Sequence, residues 1–233
     1  MRIHALGAAG TVLLAAVIGT ACSGGGGTTT APSISSSTPT VQPSASPTLV
    51  APAPLPDSGV IAPGTYATNF QPKVTFTASS SGWEVDVNSA HWLGMEFRLT
   101  DSILATLNVI EVDKVFDREH HGKLIVAPKD LASWIARLPG LTVDAPPTPV
   151  TVGGIEGEQL DVLIGPKDVG VGPIPGVSDV GNGFFKRGMF RIIVVRVDGR
   201  DVQIAFAADE AGSKHFDVAA GSAKELIDSI TWG

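Results

Sequence analysis

Met189-Phe190-Arg191-Ile192-Ile193-Val194-Val195-Arg196-Val197-Asp198-Gly199-Arg200-Asp201-Val202-Gln203-Ile204-Ala205-Phe206-Ala207-Ala208 contains two β-branched runs joined by a single Asp-Gly pair. Asp-Gly supplies the two positive φ angles of a tight type I′ turn, so the stretch predicts a hairpin with arms at Met189–Val197 and Val202–Ala208. Both arms are apolar enough to be central strands. Working outward, Trp83-Glu84-Val85-Asp86-Val87 alternates apolar and acidic residues, which gives a strand with one wet face and excludes a fully buried parallel strand. Further short runs at Thr65–Thr68, Val74–Thr77, Trp92–Leu99 and Ala105–Val112 read the same way. Val150–Val152, the Gly153-Gly154 turn and Leu160–Ile164 suggest a second hairpin, with Gly157 marking a bulge or a close approach.

Helical spacing occurs twice. Leu131, Trp134, Ile135 and Leu138 follow i, i+3, i+4, i+7 after Pro128, and Pro139-Gly140 ends the run. Phe216, Ala219, Ala223, Leu226, Ile227 and Ile230 mark a buried stripe on a closing helix over Phe216–Ser229, despite Gly221. The Gly- and Pro-rich stretch from Gly165 to Gly183 reads as a long loop. The expected class is therefore α+β, an antiparallel β-sheet covered by helices.

Val74-Thr75-Phe76-Thr77 leading to Gly82-Trp83, the helix with Leu131 and Trp134, the Val150-Thr151-Val152-Gly153-Gly154 hairpin and the terminal Ile227-Asp228-Ser229-Ile230 together resemble the PsbP-like α/β/α sandwich. In particular they resemble the mycobacterial LpqN-type lipoproteins that carry such a domain outside the cell. Where that family has a Pro before its Gly-Trp pair, this chain has Ser79 to Ser81. The resemblance covers most of residues 64–232, carries no catalytic residues, and implies a binding or assembly module.

Charge divides the chain. Between Arg2 and Asp57 there is no Asp, Glu, Lys or Arg, so the low charged fraction of 17% is a property of the N-terminal quarter. Residues 59–233 form a block large enough for one globular domain and its core. Without Arg2, fifteen basic residues face 23 acidic ones, a net charge of −8 with His neutral. That field repels phosphates, and the basic residues are scattered, so nucleic acid is not an expected partner.

Residues 1–21 have the layout of an export signal: Arg2, an apolar stretch from Ala5 to Ile18, then Gly19-Thr20-Ala21 before Cys22. The ending Gly19-Thr20-Ala21-Cys22, followed by Ser23 and Gly24 to Gly27, resembles a lipoprotein signal, which implies cleavage before Cys22 and acylation of its thiol with palmitate-class chains. Gly19 stands where that family has Leu, Val or Ile, so a chain cut at the same bond and freely secreted is the alternative. Cys22 is the only cysteine and has no partner within the chain for a disulfide. With two or more acyl chains, at about 0.8 kcal/mol per buried methylene, attachment is effectively permanent. Residues 22–58 comprise that cysteine and a Ser/Thr/Pro/Gly-rich tether, whose composition cannot offset the entropy of ordering. As a coil the tether reaches about 30–36 Å, and at most about 110 Å in polyproline geometry. The expected partners are the membrane, through the lipid, and an unidentified envelope protein or ligand, with the domain a monomer.

Chemistry is sparsely marked. G-x-S-x-G, H-E-x-x-H, S-x-x-K and the phosphate-loop spacing are all absent. Asp117-Arg118-Glu119-His120-His121-Gly122-Lys123 brings two imidazoles and two carboxylates together, which makes His120 and His121 weak metal candidates. Adjacent residues on an extended chain point to opposite sides, however, and a solvated loop explains the cluster better. His91 and His215 have no evident partner, and the four Trp residues read as core in preference to a sugar-binding or apolar cleft. No catalytic residue, cofactor or metal is assigned. The leading expectation is a non-catalytic binding module; the alternatives are an envelope hydrolase or metal-dependent enzyme built from dispersed residues, and a carrier whose apolar cavity lies between sheet and helix.

Overall fold

Asp198 and Gly199 both take positive φ, 50° and 80°, in the computed structural model. The turn they make joins β15 (Met189–Val197) to β16 (Arg200–Ala208), which pair without interruption from Met189↔Ala208 to Val197↔Arg200. The structure describes residues 51–100, 103–118, 123–177, 181–208 and 216–233. Around this hairpin runs a nine-stranded sheet in the order β10 (Leu141–Val143), β12 (Ile155–Ile164), β15, β16, β7 (Ile103–Glu111), β6 (Trp92–Thr100), β5 (Trp83–Asn88), β2 (Gly59–Val60), with β11 (Thr148–Val152) also on β12. All of its pairings are antiparallel.

Each face of this sheet buries one apolar cluster. On the first face Trp83, Leu93, Leu107, Ile204 and Phe206 pack against α2 (Phe216–Asp228) and a small sheet. That sheet is β1 (Ala53–Pro54), parallel to β3 (Gly64–Ala67), then β4 (Val74–Ala78) and β17 (Thr231–Trp232). On the second face Ile110, Leu160, Val162 and Ile192 pack against α1 (Leu131–Ala136) and two hairpins, β8 (Lys114–Phe116) with β9 (Leu124–Val126), and β13 (Val169–Pro173) with β14 (Gly181–Phe184).

The expected α+β class, an antiparallel sheet covered by helices in a PsbP-like sandwich, is overturned. Among the described residues there are seventeen strands and two helices, of six and thirteen residues. Strand-built layers do most of the covering. The mid-chain helix is short because Arg137 N–H and Leu138 N–H already bond three residues back, to Trp134 O and Ile135 O, and Pro139-Gly140 follows.

The Gly165–Gly183 segment is likewise no plain loop. Val169 and Val171 on β13 alternate inward and meet the inward Asn182 and Phe184 of β14. Gly170, Gly181 and Gly183 are exposed, whereas buried Gly172 allows a close approach: a Cβ there would lie 2.3 Å from Lys114 O, where β8 crosses. Buried Asn182 and Gln203 exchange amide hydrogen bonds of 3.2 and 3.3 Å, fixing this hairpin on β16.

The packed chain also begins ahead of residue 59. Leu55 is 5% exposed, its N–H donates to Ala67 O, and Asn88 Nδ2 donates to Leu55 O and Pro56 O. The described residues, from Ala51 to Gly233, belong to one compact unit.

Candidate functional site

The second face of the central sheet changes character from one side to the other. Toward β12 and β15 it is apolar and buried beneath α1 and the hairpins; toward β5, β6 and β7 the same face presents Glu84, Asp86, Glu96, Thr106 and Asn108. Period-two alternation puts those polar residues opposite the Trp83, Val85, Leu93, Met95 and Leu107 that fill the first-face core.

Trp92 opens this polar region. Its Nε1–H donates to Asn108 Oδ1 at 2.8 Å, and a Cβ on Gly94 would lie 3.2 Å from Nε1, so the indole crosses directly over that glycine. Asp86, Glu96, Thr106 and Asn108 surround it, and Gly183, Phe185 and Phe190 make the far wall of a cleft of 240 Å³. Phe185 and Phe190 are fixed against each other with ring centroids 4.7 Å apart.

A second cleft of 310 Å³, also lined by Phe185, has Gly170, Gly181, Gly183, Asp168 and Phe116 in its walls. Phe116, Asp168, Val169 and Gly170 are shared with a third of 220 Å³, which continues to Asp117, Arg118, Leu138 and Pro139. The first two clefts share Gly183 and Phe185, so the three adjoin as a groove of successive clefts. Its carboxylates are Asp86, Glu96, Asp117 and Asp168; its cation is Arg118, which lies 4.9 Å over the Trp134 ring and donates to Trp134 O. Burial first, then the neighbouring Arg137, holds Arg118 below the ordinary arginine pKa.

A different space lies between the sheet and α2. It measures 90 Å³ and is lined by Val150, Gln159, Arg191, Ile193, Ala223 and Ile227, among others. Arg191 grips Asp161 through two hydrogen bonds of 2.9 and 2.8 Å, and this bond holds its guanidinium above the ordinary pKa. The alternative of a hydrophobic carrier places its cavity here, between sheet and helix, but the space is well under the roughly 300 Å³ at the low end of small-molecule sites.

Of the residues singled out in the sequence, Cys22, His120, His121 and His215 lie outside the described residues, as do the signal and most of the tether. His91 is not alone: its Nδ1 is 2.8 Å from Glu111 Oε2, to which Arg200 Nη1 also donates at 3.1 Å. This cluster ties the start of β6 to β7 and β16. Among the described residues, no three His, Cys, Asp or Glu side chains converge to hold a metal ion, and no helix is long and apolar enough to cross a membrane.

Core packing accounts for Trp83 and Trp134, which are 2% and 7% exposed; Trp232 and Trp92 are partly buried against the two core clusters, and Trp92 also lines the groove. The overlooked signal was Gly94, a glycine two residues along the same strand face, where a missing side chain lets an indole lie flat.

No family model matches the chain, and no curated protein is significantly similar to it. Among solved structures a similar chain is LpqN, described as involved in cell envelope biogenesis of Mycobacterium tuberculosis. The two are 13% identical over 64% of this chain and 78% of that one, with a TM-score of 0.34. A superposition that loose does not establish a common fold.

Proposed function

We propose that the chain is a lipid-anchored protein of the cell envelope, whose β-rich domain binds a partner protein or ligand outside the cytoplasm through the groove across its second face, without catalysis of its own. The observation that carries the binding surface is the groove itself: three adjoining clefts that share lining residues and present both aromatic rings and carboxylates. Sites of this kind combine apolar contact area with a few placed polar groups. Its openness suits a chain-like or macromolecular partner better than a small enclosed one.

The anchor is supported by the sequence alone: the apolar leader, the small residues before Cys22, and the absence of any other cysteine to pair with it. The uncharged stretch from Cys22 to the start of the packed chain then serves as tether. A photoreactive benzoylphenylalanine at Phe185, with the same group at Gly221 on the exposed side of α2 as control, tests the binding surface on intact cells. Adducts resolved by mass from position 185 alone are expected; equal labelling from both positions, or none from 185, contradicts the proposal.

A further inference from the structure

We propose that the cleft over Trp92 is a subsite for one ring of an uncharged saccharide, an inference that rests on the groove being the binding surface. A pyranose carries two kinds of surface: a face of C–H bonds that stacks on an aromatic plane, and a rim of hydroxyls that each need a hydrogen-bond partner. The cleft offers both. The Trp92 indole is an aromatic plane set before any ligand arrives, held by its Nε1–H bond to Asn108 Oδ1 and by the bare backbone of Gly94 beneath it. Such preorganisation removes part of the entropy cost of binding. Asp86, Glu96, Thr106 and Asn108 supply carboxylate, hydroxyl and amide groups at the rim of that plane.

Size and charge narrow the class. A volume of 240 Å³ admits one ring with its substituents, and the adjoining cleft, which shares Gly183 and Phe185 with it, offers space for further units of an oligosaccharide. Phosphorylated or acidic sugars would meet Asp86 and Glu96 at short range in a chain that is already acidic. An acyl chain would desolvate both carboxylates without giving them a partner. An organic cation is the competing occupant, because an indole face beside carboxylates also attracts ammonium groups.

The test uses the acyl-free chain from residue 22 carrying Cys22→Ala, labelled with ¹⁵N, so that its four indole N–H signals can be followed by NMR. Maltotetraose, mannotetraose and chitotetraose are titrated singly, with lysine amide and choline as cationic probes and polygalacturonate as the acidic one. At least one neutral oligosaccharide is expected to move the Trp92 signal saturably while the Trp83 and Trp134 signals stay in place. Trp92→Ala should weaken that binding at least tenfold, Asp86→Asn severalfold, and Trp92→Phe less than Trp92→Ala, each with an unchanged unfolding temperature as the check on folding. The inference is overturned if no neutral oligosaccharide moves the Trp92 signal at millimolar concentration, if the cations move it instead, or if Trp92→Phe and Trp92→Ala both bind as the parent does. Any of these results with specific crosslinking from position 185 would remove the sugar and leave the groove; loss of both would remove the groove as well.

Discussion

Gly157 and Gly221 show how far one substitution depends on its surroundings. On β12, a Cβ at Gly157 would fall 2.4 Å from Val194 O and 2.7 Å from Val195 Cγ1 on the adjoining β15. The sequence offered a bulge or a close approach at this position; the β11–β12 register runs unshifted through Val150↔Gly157 and the β12–β15 register starts at Gly157↔Val195, so close approach is the reason. Gly157→Ala is expected to destabilise the fold by about 1–3 kcal/mol through forced overpacking. Gly221, on the exposed side of α2, has nothing within 4 Å of its Cβ position. Gly221→Ala there should stabilise by about 0.5–1 kcal/mol, because alanine loses less backbone entropy in a helix. Thermal unfolding of the two variants checks both signs; equal shifts in one direction would contradict the packing described around Gly157. The same sensitivity to a neighbour hid Trp92. Trp92 shares its strand face with Gly94 and Glu96 and not with the core residues Leu93 and Met95, and the geometry over Gly94 shows what the indole does there.

At the scale of elements, strands were legible and their sheet membership was not. The runs at Val74–Thr77 and Trp83–Val87 have similar composition, yet β4 lies in the small sheet and β5 in the large one. Local alternation reports that a strand has an inner and an outer face and says nothing of which partner it meets. The β13–β14 hairpin was missed for a related reason: glycine normally argues against a strand interior, and here it makes room for β8. That hairpin is held on β16 by the reciprocal Asn182 and Gln203 amides, both nearly inaccessible to water. Gln203→Leu strands the Asn182 amide and is expected to cost about 1–3 kcal/mol, whereas adding Asn182→Leu should recover much of the loss, since two apolar groups leave nothing unsatisfied. A double-mutant cycle by denaturant unfolding measures this coupling. Strictly additive costs would mean that the two amides do not act as a pair.

For the whole molecule, the central antiparallel sheet grew out of one Asp-Gly turn, while the layers around it did not follow from the pattern. Short strands such as β8, β9 and β17, of two or three residues, leave almost no periodic trace, so helices were credited with covering that strands perform. The candidate groove was illegible for the same reason, since its walls come from β5, β6, β7, β8, β13, β14 and β15, which meet only in the fold. The proposed division of labour is simpler: a lipid at Cys22 holds the chain to the membrane, an uncharged tether spans the gap, and the β-rich domain presents its groove to the exterior. The most direct test is the intact mass of the chain extracted from membranes, compared with a Cys22→Ala form. The proposal predicts a chain beginning at Cys22 with the added mass of a diacylglycerol, absent from the substituted form, which should then leave the membrane fraction. An unmodified chain of the same length, released equally by both forms, would contradict it and make this a secreted protein.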